Sequence, residues 1–197
     1  MNLPNKLTLS RIILTPFFVA AMLIDFPFHY LVALAIFGIA SITDMLDGKI
    51  ARKQNLVTNF GKFSDPLADK ILVLSTLVCF VQLGLCVSII VIIVLFREFA
   101  VSSIRLLAAT DGKVVAANIW GKVKTVTQII AIILIFLLQF IIELMNMNFI
   151  PVGNSNVEMF AFVFNIIGNV ALWISTIICL ISGVIYIWDN RKFISEK

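Results

Sequence analysis

Residues 31–85 read LVALAIFGIASITDMLDGKIARKQNLVTNFGKFSDPLADKILVLSTLVCFVQLGL, and their order decides the fold. Two apolar runs, Leu31–Ile42 and Ile71–Leu85, enclose Asp44, Asp47, Asp65 and Asp69. Carboxylates at membrane depth are costly, so several together imply a compensating cation and a functional site. Asp44 and Asp47 are three residues apart and Asp65 and Asp69 four, so on helices each pair shares a face. Two such faces meeting across a short connection predict a four-carboxylate, all-oxygen pocket. Residues 44–69 contain neither His nor Cys, which favours a hard ion such as Mg²⁺ or Mn²⁺ over zinc.

The residues among the acids indicate what such an ion would hold. Gly48, Ala51 and Gly61 keep helix faces bare, so a planar group or a backbone can approach closely. Arg52 offers a planar fork suited to phosphate. Together these features predict a site for a metal-bound diphosphate carrying a nucleobase-sized group.

The pattern D-x-x-D-G-x-x-A-R-x8-G-x3-D-x3-D resembles the signature of the CDP-alcohol phosphotransferases. Every fixed position is met, by Asp44, Asp47, Gly48, Ala51, Arg52, Gly61, Asp65 and Asp69. The resemblance implies an integral membrane enzyme that displaces CMP from a CDP-linked lipid with an alcohol. It makes the four aspartates ligands of a two-metal centre and gives Asp69 the further role of base for the attacking hydroxyl. Gly48, Ala51 and Gly61 would border the cytidine, and Arg52 would hold the diphosphate. The competing reading is an ion-coupled transporter, whose intramembrane acids bind ions and do no chemistry.

Composition agrees with a membrane chain: 61% of residues are hydrophobic and 13% charged. A span needs about 20 apolar residues. That rule predicts an all-α, polytopic protein of one domain over 1–197. Its six transmembrane helices lie near 8–25, 30–53, 61–84, 87–110, 121–145 and 157–188. A short amphipathic segment, Asn2–Ser10, would lie in the interface ahead of them, or else Thr8 or Ser10 caps the first helix. No signal-peptide cleavage pattern is read at the start. Under this segmentation all 15 Lys and Arg fall on one side, whereas the opposite connections carry Asp25, Glu143 and Glu158. The positive-inside rule then places both termini and the aspartates at the cytoplasmic face of a bacterial membrane.

Other residues receive blander readings. Cys79, Cys86 and Cys179 lack metal spacing and read as apolar filler. His29 reads as interfacial, Trp188 as an interfacial anchor, and 147–156 as a polar outer loop. No nucleic-acid partner is expected.

A second cluster bears on the acceptor. Arg97 lies two to three turns inside an apolar run, beside Glu98, and Arg105 follows eight residues on, so the two arginines can share a face. Lys122 and Lys124 open the fifth helix. Cations beside a site that already holds metal ions call for another anion, most simply a phosphate on the acceptor; a structural pairing of Arg97 with Glu98 is the alternative. The segments NLPNKLTLSR at 2–11, REFAVSSIR at 97–105 and GKVKTVTQ at 121–128 resemble the bacterial phosphatidylglycerophosphate synthase branch of the family. That branch joins CDP-diacylglycerol to glycerol 3-phosphate. The resemblance implies a homodimer and assigns the acceptor phosphate to Arg97, Arg105, Lys122 and Lys124. Enzymes of cardiolipin or inositol-phosphate type are the rivals within the family.

Overall fold

The computed structural model describes residues 3–53, 59–110 and 119–191. Among them the chain forms six helices and no strand: α1 Leu3–Leu23, α2 His29–Lys53, α3 Asn59–Gln82, α4 Ser88–Thr110, α5 Ile119–Asn146 and α6 Asn154–Asp189. The helix count and order match the expectation from apolar runs. The start of α1 does not: its backbone is helical from Leu3, so Asn2–Ser10 is not set off by a break at Thr8 or Ser10. Pro4 in the first turn lacks only an N–H that has no intrahelical acceptor there, so it permits this early start. Pro16, further along, removes one backbone bond. One turn back, the Thr15 hydroxyl donates to the Arg11 carbonyl at 3.0 Å.

The chain divides into two compact units. The first comprises 1–84 and 136–161. Within it α1 packs on both α2 and α3. Four phenylalanines without solvent exposure, Phe18, Phe37, Phe80 and Phe136, bring α1, α2, α3 and α5 together. Phe136 is central, with ring centroids 5.4 Å from Phe80, 6.0 Å from Phe37 and 6.1 Å from Phe18. Such ring pairs each add about 0.5–1.5 kcal/mol beyond the area they bury.

Helix ends in this unit follow local chemistry. Gly84, at φ 71°, ends the turn after α3. Asn148, at φ 59°, closes α5: its N–H reaches the Met145 carbonyl at 3.1 Å, and that of Phe149 reaches Leu144 at 3.0 Å. Those two bonds are the Schellman pattern, in which Asn is tolerated in the left-handed position.

The second unit comprises 85–135 and 162–197. A Cβ on Gly168 would lie 2.9 Å from Ile135 Cγ1, so a bare Gly168 is what lets α5 and α6 approach there. Asn169 Nδ2 donates to the Leu85 carbonyl at 3.2 Å, and Val101, Ile104 and Tyr186 form a buried apolar cluster. Along α6, Phe162, Ile166, Val170, Ile174, Ile177, Ile181, Val184 and Trp188 are all exposed. They recur every three or four residues and cover about 39 Å of helix, a continuous apolar face that water would not tolerate. Two segments, 119–146 and 156–189, are long and apolar enough to cross a bilayer. The apolar parts of α1, α2 and α3 are shorter, and Arg97, Glu98 and Arg105 interrupt α4. Among the described residues the chain is all-helical, with long apolar helices of the kind that suit a membrane.

Candidate active site

The aspartates stand on the helices predicted for them. Asp44 and Asp47 belong to the C-terminal half of α2, and Asp65 and Asp69 to the first half of α3. With helical backbone at all four positions, the spacings of three and four residues put each pair on one face. The side chains of Asp44, Asp47, Gly48, Ala51, Arg52, Gly61, Asp65 and Asp69 lie outside the described residues. The donor set they would offer, carboxylate oxygen alone, suits Mg²⁺ or Mn²⁺ chemically.

α1 supplies what sequence reading passed over. Thr8, Arg11, Thr15, Phe18 and Met22 are all buried and recur at intervals of three and four, so they form one inward stripe. Arg11, one of the 15 basic residues on one side and the last residue of the 2–11 segment, is 1% exposed. Phe18 packs on Phe37 at 6.2 Å, and a five-residue connection joins the antiparallel α1 and α2. Seven residues back from Phe18 is Arg11, and seven onward from Phe37 is Asp44. Arg11 therefore lies level with the first aspartate along the packed pair. The periodic stripe was visible in the sequence, but Arg11 also satisfied a simpler explanation, proximity to a basic terminus.

The second cluster lies within the second unit. Glu98 Oε1 accepts from Arg97 at 2.7 Å and from Lys124 Nζ at 2.5 Å. Arg97 also donates to Ser182 Oγ at 2.8 Å, and Arg105 Nε donates to Tyr186 Oη at 3.3 Å, with its guanidinium over the same ring. Both arginines thus address one face of α6, a turn apart, as their spacing on α4 predicted. Glycines frame Arg97: a Cβ on Gly183 would sit 2.9 Å from its Cγ, and one on Gly121 3.8 Å from its terminal nitrogen. Ser182, Gly183 and Tyr186 carried no signal beyond an apolar run. Lys122 does not join the group. It is exposed while Lys124 is buried, because two residues turn about 200° around a helix. One carboxylate against Arg97 and Lys124 leaves this core of the cluster at net +1, and Arg97 Nε is buried with no hydrogen-bond partner among the described residues.

His29 stands at the first residue of α2 with its side chain buried in the protein, and its backbone N–H donates to both the Phe26 carbonyl at 3.2 Å and Glu143 Oε1 at 3.1 Å. The three cysteines are free and buried, as apolar filler should be.

A family model described as CDP-alcohol phosphatidyltransferase matches residues 1–188, and the chain belongs to that family. It is 42% identical over 201 residues to a CDP-diacylglycerol–glycerol-3-phosphate 3-phosphatidyltransferase of Bacillus subtilis, covering 96% of this chain and 95% of the relative. A protein of the same name from Rickettsia bellii is 33% identical, covering 98% and 97%. One from Haemophilus influenzae is 41% identical over 66% of this chain and 73% of its own length.

Proposed function

We propose that this chain transfers the phosphatidyl group of CDP-diacylglycerol to glycerol 3-phosphate, releasing CMP and phosphatidylglycerophosphate. The observation that carries the reading is the full aspartate signature, set on α2 and α3, in a chain that matches the family over 1–188. The names of the relatives support the choice of acceptor.

Asp44, Asp47, Asp65 and Asp69 would hold two divalent ions, Mg²⁺ or Mn²⁺. Such ions supply charge neutralisation for a diphosphate and for the CMP that departs. Arg52 holds the diphosphate, and Gly48, Ala51 and Gly61 leave room for cytidine. Asp69 takes the proton from the primary hydroxyl of glycerol 3-phosphate. That oxygen forms a bond to the phosphorus bearing diacylglycerol as the bond from phosphorus to the CMP oxygen breaks. Arg105, Arg97 and Lys124 hold the acceptor phosphate and so orient the hydroxyl, whereas Lys122, exposed on another face of α5, takes no part. Arg97 and Lys124 are already tethered to Glu98, which presets their positions, and Arg105 carries the larger share of phosphate recognition.

The same reading makes all six helices membrane spans in a single domain, with both termini and the aspartates cytoplasmic. Its support is the charge distribution: Lys and Arg are absent from 12–48, 71–96 and 125–190. A homodimer rests on the family resemblance. The reaction is tested by mixing purified protein and Mg²⁺ with CDP-diacylglycerol and either glycerol 3-phosphate, glycerol, inositol or phosphatidylglycerol. CMP release with glycerol 3-phosphate far above the others is expected. Preference for another alcohol would overturn the acceptor and leave the family standing.

A further inference from the structure

At the start of α2, remote from the aspartates, the first unit contains a cavity of about 320 Å³ with a mixed polar and apolar lining. His29, Tyr30, Gln139, Glu143 and Asn146 line it. His29 and Asp44 are 15 residues apart on α2, so the cavity is about 22 Å from the first aspartate along that helix. Gln139, Glu143 and Asn146 share one face of α5 by their spacing of four and three.

Two atoms in this wall lack partners. Glu143 is 8% exposed and His29 9%, and neither Glu143 Oε2 nor His29 Nδ1 has a hydrogen bond among the described residues. The other carboxylate oxygen of Glu143 accepts the His29 N–H at 3.1 Å, and that N–H is shared with the Phe26 carbonyl at 3.2 Å. Glu143 sits in the last turns of α5, where the helix dipole is negative and no basic residue compensates. The absence of Lys and Arg from 12–48 and 125–190 leaves this buried carboxylate without an ammonium or guanidinium partner from α2, α5 or the loops beside them. A buried, half-satisfied carboxylate facing open space is a cation site in waiting.

The donor chemistry narrows the cation. Among the described residues no three His, Cys, Asp or Glu side chains come together, so a divalent metal would find only one carboxylate and one imidazole. A primary ammonium needs one negative charge and three acceptors. Glu143 Oε2, His29 Nδ1 and the amide oxygen of Gln139 or Asn146 provide that set. The rings of His29 and Tyr30, with centroids 4.0 Å apart, add aromatic wall to a pocket of ligand size. We infer that this cavity binds a primary ammonium group, carried either by an amine-bearing lipid headgroup or by a small soluble amine.

The full-length protein is tested by native mass spectrometry after equilibration with equal phosphatidylethanolamine and phosphatidylcholine, which differ in the N–H donors of the headgroup. In parallel, the melting temperature is followed against ethylammonium and tetramethylammonium chloride. Retention of the primary-amine lipid at least about tenfold above its trimethylated counterpart would assign a lipid source. A rise in melting temperature with ethylammonium but not tetramethylammonium would show that a soluble amine suffices. Glu143→Gln keeps an oxygen for the His29 N–H and removes the charge, so it should abolish either signal while CMP release persists. His29→Phe should weaken the same signals, and the ligand series on the unmodified protein stands without either variant. No discrimination between primary and quaternary amines in both assays, or an undiminished signal in Glu143→Gln, overturns the inference.

Discussion

Glu98 holds two cations on a single oxygen, and that arrangement separates its role from those of the residues it holds. Removing its charge leaves Arg97 and Lys124 buried side by side without compensation. Glu98→Gln should therefore destabilise the protein by about 3–5 kcal/mol, read as a fall in melting temperature. Arg105 is exposed and is held by one hydrogen bond and a ring contact. Arg105→Ala should leave stability within about 1 kcal/mol and raise the KM for glycerol 3-phosphate at least about tenfold, with that for CDP-diacylglycerol nearly unchanged. Equal effects on both KM values would remove Arg105 from acceptor recognition. Arg11, in turn, is buried level with Asp44, so its charge serves the aspartate end of α1 and α2. Arg11→Met preserves bulk and removes charge. CMP release is expected to fall by two orders of magnitude or more, about the 3–4 kcal/mol assigned to one well-placed charged group. Normal turnover in that variant would reduce Arg11 to a packing residue.

At the scale of elements, legibility followed the strength of the local signal. α4, α5 and α6 follow long apolar runs, and their limits came within three residues of the expected ones. The expected start of α1 near residue 8 followed the apolar run, whereas Pro4, tolerated in a first turn, lets the helix begin at Leu3. The aspartate pairs were legible because spacing alone fixes a helix face. The inward stripe through Arg11, the pairing of Glu98 with Lys124, and the recesses at Gly121 and Gly183 depend on tertiary approach, which periodicity does not encode. Buried His29 was missed for the same reason: its partner Glu143 is 114 residues away. Helix ends are sharper tests. Asn148 stops α5 in a left-handed conformation that a β-branched side chain resists. Asn148→Val should cost about 1–2 kcal/mol, and Asn148→Gly should be neutral or slightly stabilising, as judged by thermal melting. Equal melting of the two variants would mean that the turn does not depend on φ at this position.

For the whole molecule, the proposed sidedness has a direct readout, since the native cysteines are buried. In the connection between α3 and α4, burial pushes the Cys86 thiol up to about 11, so almost none is thiolate at neutral pH. An impermeant maleimide at pH 7 should therefore report introduced cysteines with little background. Gly153→Cys, in the exposed turn before α6, should label on intact cells, and Lys122→Cys only after permeabilisation. The reverse pattern would invert the proposed topology and remove the aspartates from the cytosolic face.

The central claim is that Asp44, Asp47, Asp65 and Asp69 together carry metal-dependent transfer from a CDP-linked lipid. Its most direct measurement is CMP released by purified single Asn variants, with CDP-diacylglycerol, glycerol 3-phosphate and graded Mg²⁺ or Mn²⁺. Each variant should lose at least about a thousandfold in turnover, with membrane insertion intact. Asp69→Asn should in addition keep its affinity for CDP-diacylglycerol, because its proton transfer acts on the acceptor. Near-normal CMP release from any two of the four, at any metal concentration, would contradict the account.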